Sequence, residues 1–87
     1  SMAHLQKNPK IMNRIKRLQG QLNAVEKAVN EGESSCIEIL QQVAAIKGAI
    51  TGLNNELIAE HLTQHVLSDT YNQEELAQFL GLLKKYG

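Results

Sequence analysis

The sequence holds no tryptophan, one phenylalanine, two tyrosines, one proline and one cysteine in 87 residues. So few aromatics leave a core of Leu, Ile, Val and Ala, which suits helix packing and gives no support to a sheet. One cysteine rules out an intrachain disulfide framework and suits a reducing compartment, so a cytoplasmic location is expected. No run reaches the ~18 to 20 apolar residues of a membrane span, and the start lacks the apolar centre of a secretory signal, so no membrane association is expected. Ser1-Met2 reads as an expression scar ahead of a native Met. Catalytic constellations are missing as well: no Ser/His/Asp or Cys/His arrangement closes within one chain, no Gly-rich phosphate loop follows a strand, and Glu74 and Glu75 sit at a helix start where they complement the dipole. The chain is therefore not read as an enzyme.

What is present begins with length. A chain of this size forms one domain over 1–87, and it buries only about 60% of its unfolded surface, so an obligate oligomer is expected. The net charge is zero, with nine basic and nine acidic residues, yet the charges are segregated. Residues 1–30 carry Lys7, Lys10, Arg14, Lys16, Arg17 and Lys27 against Glu26 alone, whereas residues 31–60 carry five acids against Lys47. The first part of the chain is a basic element.

Residues 1–8 are polar and read as a disordered arm carrying His4. Pro9 suits a first helical turn. Ile11, Ile15, Leu18, Leu22, Val25 and Val29 then recur at alternating spacings of four and three, which predicts a helix to about residue 30. Lys7, Lys10, Arg14 and Arg17 cluster between roughly 260° and 340° on its helical wheel, beside the apolar seam, while Lys16 points away. Gly32 can end this helix in a left-handed cap, and Ser34 or Ser35 can start the next with Glu38 at the third position of a capping box. So short a link predicts an antiparallel hairpin.

From Cys36 to His65 there is no proline, and one long helix is expected. Ala44, Ala45, Gly48, Ala49 and Gly52 give it small side chains, and close approach by a neighbouring helix would explain the two glycines, each costing on the order of 1 kcal/mol against Ala. The pattern loosens over residues 68–72, and Gln73 to Tyr86 returns to helix with Leu76, Phe79, Leu80 and Leu83 apolar. The expected fold is all-α: a three-helix protomer with a long helix, a longer helix and a short C-terminal helix.

His61 and His65 stand four apart, which sets two imidazoles on one helix face within reach of one metal. Taking ~100° per residue, Cys36 falls on the same stripe, but nearly 40 Å away along the axis at ~1.5 Å per residue. One helix cannot close such a site. A second chain running antiparallel would bring Cys36 of one protomer to His61 and His65 of the other, and His4 is a candidate fourth ligand.

The segments RIKRLQGQLNAVEKAV, the cysteine after a short loop, ILQQVAAIKGAITGL and HLTQH resemble the CsoR/RcnR/FrmR family of small all-helical bacterial repressors that sense metals or formaldehyde. The resemblance covers roughly residues 10–66. It implies an antiparallel helical-bundle dimer, a dimer-of-dimers tetramer, no helix-turn-helix, and a basic surface that binds operator DNA and releases it when an effector binds. Cys36 and His61 match the family's common Cys and His. Copper sensors have a second Cys where this chain has His65, so Cu(I) fits less well. The set His4, Cys36, His61, His65 is similar to the nickel and cobalt branch, and Zn(II) also accepts such donors. Arg14 and Arg17 match DNA-contacting positions, Lys47 stands where relatives usually carry Arg, and Lys10 and Lys16 complete the candidate DNA set. Two departures are visible. The His4 to Gly20 interval is one residue shorter than in nickel sensors and the Gly20 to Cys36 interval one longer. The formaldehyde branch has Pro directly after the initiator Met, where this chain has Ala3.

The expected function is thus a Ni(II)- or Co(II)-responsive repressor. A formaldehyde-responsive repressor with Cys36 as nucleophile is the alternative, and a helical adaptor without a DNA role is the reading from a different class. Salt-dependent binding to duplex DNA separates the adaptor from both sensors.

Overall fold

A computed structural model of the protein describes residues 3–66 and 72–86, with side chains described over 4–65 and 72–86. The described residues form helices only: α1 (Ala3–Gln6), α2 (Pro9–Glu31), α3 (Cys36–His61), a π-helical turn (Leu62–Val66) and α4 (Gln73–Tyr86). The chain divides into two compact units, residues 1–57 and 58–87.

In the first unit the helix ends are fixed by local hydrogen bonds. Asn8 caps α2, its side-chain oxygen accepting from the Lys10 and Ile11 amides at 3.0 and 3.4 Å, and Pro9 occupies the first turn, where its missing N–H costs nothing. Gly32 ends α2 at φ 67°, ψ 15°, with its N–H donating to the Ala28 carbonyl at 3.2 Å. This backbone conformation is one that glycine adopts without a Cβ penalty. The capping box of α3 forms at Ser35, one of the two serines expected. The Glu38 amide donates to Ser35 Oγ at 3.1 Å and the Ser35 amide donates to Glu38 Oε1 at 3.5 Å.

The hairpin expected from the short link is present. Arg14, early in α2, meets Gly52 and Glu56, late in α3, so residues about equally far from the loop face each other. Ile11 and Leu18 of α2 and Ile46 of α3 are buried. Much apolar surface remains outside: Leu22, Val29, Ile37, Leu40, Val43 and Ile50 are all exposed, Ile37 at 67%. On α3, Cys36, Val43 and Ile50 follow one another at seven-residue intervals and so share a face.

Three differences from the sequence reading stand out. His4 lies on a short helix and not on a disordered arm, so the described residues form four α-helices where three were expected. The Cys36–His65 segment does reach membrane-span length and composition, with an 18-residue window of mean hydropathy 1.2, because small and apolar residues make up much of α3 and leave few charges in it. The third difference is that α3 does not continue regularly to His65: from Leu62 the turns widen to the i→i+5 bonding of a π-helix. There, Thr63 Oγ1 donates to the Ala59 carbonyl at 2.9 Å. Thr51 makes the same bond to the Lys47 carbonyl inside regular α-helix, so the hydroxyl accommodates the wide turn and does not cause it.

In the second unit Asn72 caps α4, its side-chain oxygen accepting from the Glu75 amide at 2.7 Å. Glu74 and Glu75 in the first turn and Lys84 and Lys85 in the last complement the helix dipole. Phe79 is the buried residue of this helix, 9% exposed. The expected loosening over residues 68–72 lies outside the described residues except for Asn72.

Candidate metal centre and nucleic-acid interface

The candidate ligands occupy three local environments. Cys36 is the first residue of α3, a free and exposed thiol. His61 is the last residue of the same helix, about 37 Å away at ~1.5 Å of rise per residue. His65 follows in the π-turn. His4, half-buried on α1, takes part in interactions of its own. Among the described residues no three His, Cys, Asp or Glu side chains group closely enough to hold a metal ion. The chain by itself brings together only the histidine pair.

That pair is held by rings. The His61 and His65 ring centroids are 5.0 Å apart at 35°, and on the α4 side the Phe79 ring lies 4.4 Å from His61 at 34°. His61 Nε2 is shielded from water and has no hydrogen-bond partner among the described residues. An imidazole nitrogen so placed carries a cost of about 1 to 3 kcal/mol, which a bond from outside the chain would remove. Two adjacent imidazoles, one with an orphaned nitrogen, plus an accessible thiol fit a borderline transition metal such as Ni(II), Co(II) or Zn(II) better than Cu(I), which favours paired thiolates.

The basic residues divide similarly. Lys10, Lys16, Arg17 and Lys47 are exposed, and Lys10, Arg14 and Arg17 follow one stripe of α2 at spacings of four and three. Arg14 is different, for its guanidinium is drawn onto α3. Arg14 Nη2 lies 3.8 Å from Glu56 Oε1, with the two side chains 39% and 28% exposed. A Cβ placed on Gly52 would stand 2.6 Å from Arg14 Nη1. The Arg14 guanidinium lies across Gly52, so a side chain there would push it aside, while Gly48 meets nothing within 4 Å in the same chain. Sequence reasoning missed Glu56 as the partner of Arg14 and Phe79 as the partner of His61. The first was recoverable from hairpin register, since residues equidistant from the loop face each other; for the second, the only phenylalanine on an apolar helix face was the sole signal.

A helical hairpin with a basic first helix, a lone accessible thiol and a histidine pair beside an aromatic ring defines a small all-α regulator. A family model described as metal-sensitive transcriptional repressor matches residues 7–85. The chain is 36% identical over 89 aligned residues to the transcriptional repressor RcnR of Salmonella typhimurium strain LT2, covering 98% of both chains. The same identity and coverage hold for RcnR of Escherichia coli O9:H4. A solved variant of the formaldehyde-responsive regulator FrmR from Salmonella enterica serovar Typhimurium superposes with a TM-score of 0.78 at 36% identity, over 90% of this chain and 91% of that one. The chain belongs to the metal-sensitive transcriptional repressor family. It is accordingly a transcriptional repressor and not an enzyme.

Proposed function

We propose that this repressor acts in the cytoplasm, binds operator DNA when free of effector and releases it on binding Ni(II) or Co(II) at a site shared between two protomers. Cys36 of one chain and His61 and His65 of the other are the proposed ligands, with His4 a candidate fourth. The observation that carries the reading is the shielded, unpartnered His61 Nε2 beside a second imidazole. Pairing of two α3 helices in antiparallel fashion supports it physically. The face bearing Cys36, Val43 and Ile50 is apolar and exposed, a surface that calls for protein cover. The same cover accounts for the hydropathy of α3 without a bilayer. Residues 1–87 then work as one functional domain within a dimer or a dimer of dimers. Operator binding is assigned to Arg14, Arg17, Lys10, Lys16 and Lys47. Regulation follows from linkage: ligation favouring the DNA-incompetent conformation weakens operator affinity by its differential binding, usually ~1 to 3 kcal/mol.

A second reading is favoured by one observation, the exposure of the Cys36 thiol in a chain similar to a formaldehyde-responsive regulator. In it, the thiolate adds to the carbonyl carbon of formaldehyde and the oxygen takes up a proton. An amino-terminal amine then displaces the hydroxyl as water to leave an S–CH2–N crosslink. Titrations of Ni(II), Co(II) and formaldehyde against the repressor–operator complex, read as DNA release on protein lacking Ser1, test both. His65→Ala should lose the metal response. If it keeps that response and wild type also releases DNA with formaldehyde, the ranking reverses.

A further inference from the structure

We infer that Phe79 is a positioning residue for the His61 imidazole, so that α4 holds one ligand of the effector site in its working orientation. The inference rests on His61 being a ligand, as proposed above. His61 ends α3 at the point where regular helix gives way to a π-turn, so the backbone hydrogen-bond pattern changes beside its side chain. Metal-bound histidines are usually oriented by a hydrogen bond from the second ring nitrogen. Here ring contacts can serve that purpose and leave Nε2, which has no hydrogen-bond partner among the described residues, for the ligand bond. The His61 ring is held by contact with Phe79 at 4.4 Å and His65 at 5.0 Å, both tilted by about the same angle, 34° and 35°. Tilted aromatic pairs at this separation are attractive beyond the area they bury. Phe79 is also the buried residue of α4, so its own ring has little freedom to move away. Leu76 and Leu83 are half-buried along the same helix, so α4 packs through more than the ring.

Phe79→Leu, which keeps apolar volume and removes the ring face, is the primary variant. Phe79→Tyr restores the face, and Leu83→Ala, one turn away on α4, trims apolar packing while keeping the ring. In metal-free protein, the His61 ring protons should show an upfield ring-current shift by NMR that Phe79→Leu loses and Phe79→Tyr keeps. In Co(II) titrations of the full-length oligomer, Phe79→Leu should bind about 10-fold more weakly with an altered ligand-field spectrum. Phe79→Tyr should restore wild-type affinity, and Leu83→Ala should leave it unchanged. If Phe79→Leu loses helicity by circular dichroism, Phe79→Met takes its place, since it fills the space without a ring. The proposal is overturned by wild-type Co(II) affinity and spectrum in the ring-less variant, by equal losses in Leu83→Ala, or by absence of the ring-current shift in wild type. His61→Ala that still binds Co(II) as tightly as wild type would instead overturn the ligand assignment, leaving the ring contact seen by NMR intact.

Discussion

The hairpin of residues 1–57 and the unit from Ile58 onward are organised by different forces. In the hairpin, helix ends are written into short local signals: Asn8 before Pro9, Gly32 in the left-handed region, Ser35 and Glu38 in reciprocal hydrogen bonds. Its charged groups are exposed or tied at the surface, as Arg14 is to Glu56. In the second unit the features that matter are contacts between elements and a departure from regular helix: a π-turn, two imidazoles and one phenylalanine. The difference teaches where regulation is cheapest to build. A hairpin fixed by caps presents a constant basic face, whereas a histidine pair held by ring contacts in a widened turn can exchange one arrangement for another on gaining a ligand.

Variants in the two regions should therefore fail in different ways, and the largest effects fall on the ligands. Cys36→Ala and His61→Ala should each lower metal affinity by more than about 100-fold, beyond what outer-shell changes cost. Operator affinity of the metal-free protein should change no more than about twofold, because neither residue belongs to the basic stripe of α2. Calorimetry for metal and fluorescence anisotropy for DNA read the two, and a fully inducible Cys36→Ala or His61→Ala would mean the site is misassigned. Next in size, Arg14→Ala and Arg17→Ala should weaken operator binding and each reduce the slope of log affinity against log salt by about one. Lys84→Ala in the last turn of α4 should do neither. Equal effects at all three would erase the distinction between a DNA face and general charge attraction.

Smaller effects sharpen the account of the hairpin. Ser35→Ala removes one half of the capping box and should lower stability by about 1 kcal/mol in urea denaturation. Gly48→Ala should raise stability by up to about 1 kcal/mol if the position is as open in the assembly as within one chain. A loss in its place would put a neighbouring helix against Gly48. Gly52→Ala gains the same propensity but displaces Arg14, so it should weaken operator binding where Gly48→Ala does not.

This contrast also explains how much could be read in advance. The start of α2 at Pro9, its end at Gly32, the capping box and the hairpin follow from residues within four positions of each other, and short-range patterns of that kind survive folding. The last turn of α3 was misread because nothing in HLTQH distinguishes i→i+5 from i→i+4 bonding. The arm carrying His4 was misread because an eight-residue polar start has too little periodicity to betray a single helical turn. Arg14 was placed on the basic ridge correctly by its spacing, yet its Glu56 partner lies 42 positions away and enters only with the hairpin. Cys36, His61 and His65 stand out in the sequence as candidate ligands by residue type and spacing. Phe79 was legible only as an apolar position, since its contact with His61 depends on how α4 returns after residues 67–71.

The central claim is that the effector site is completed by a second copy of the chain. Cys36→Ala chains should be mixed with His61→Ala/His65→Ala chains and exchanged through mild denaturation, then titrated with Co(II). Neither parent should bind tightly, while each heterodimer should regain one intact site from Cys36 of one protomer and His61 with His65 of its partner, visible as a thiolate-to-cobalt absorption band. A folded, exchanged mixture that recovers no Co(II) binding would contradict the claim and return the ligands to a single chain.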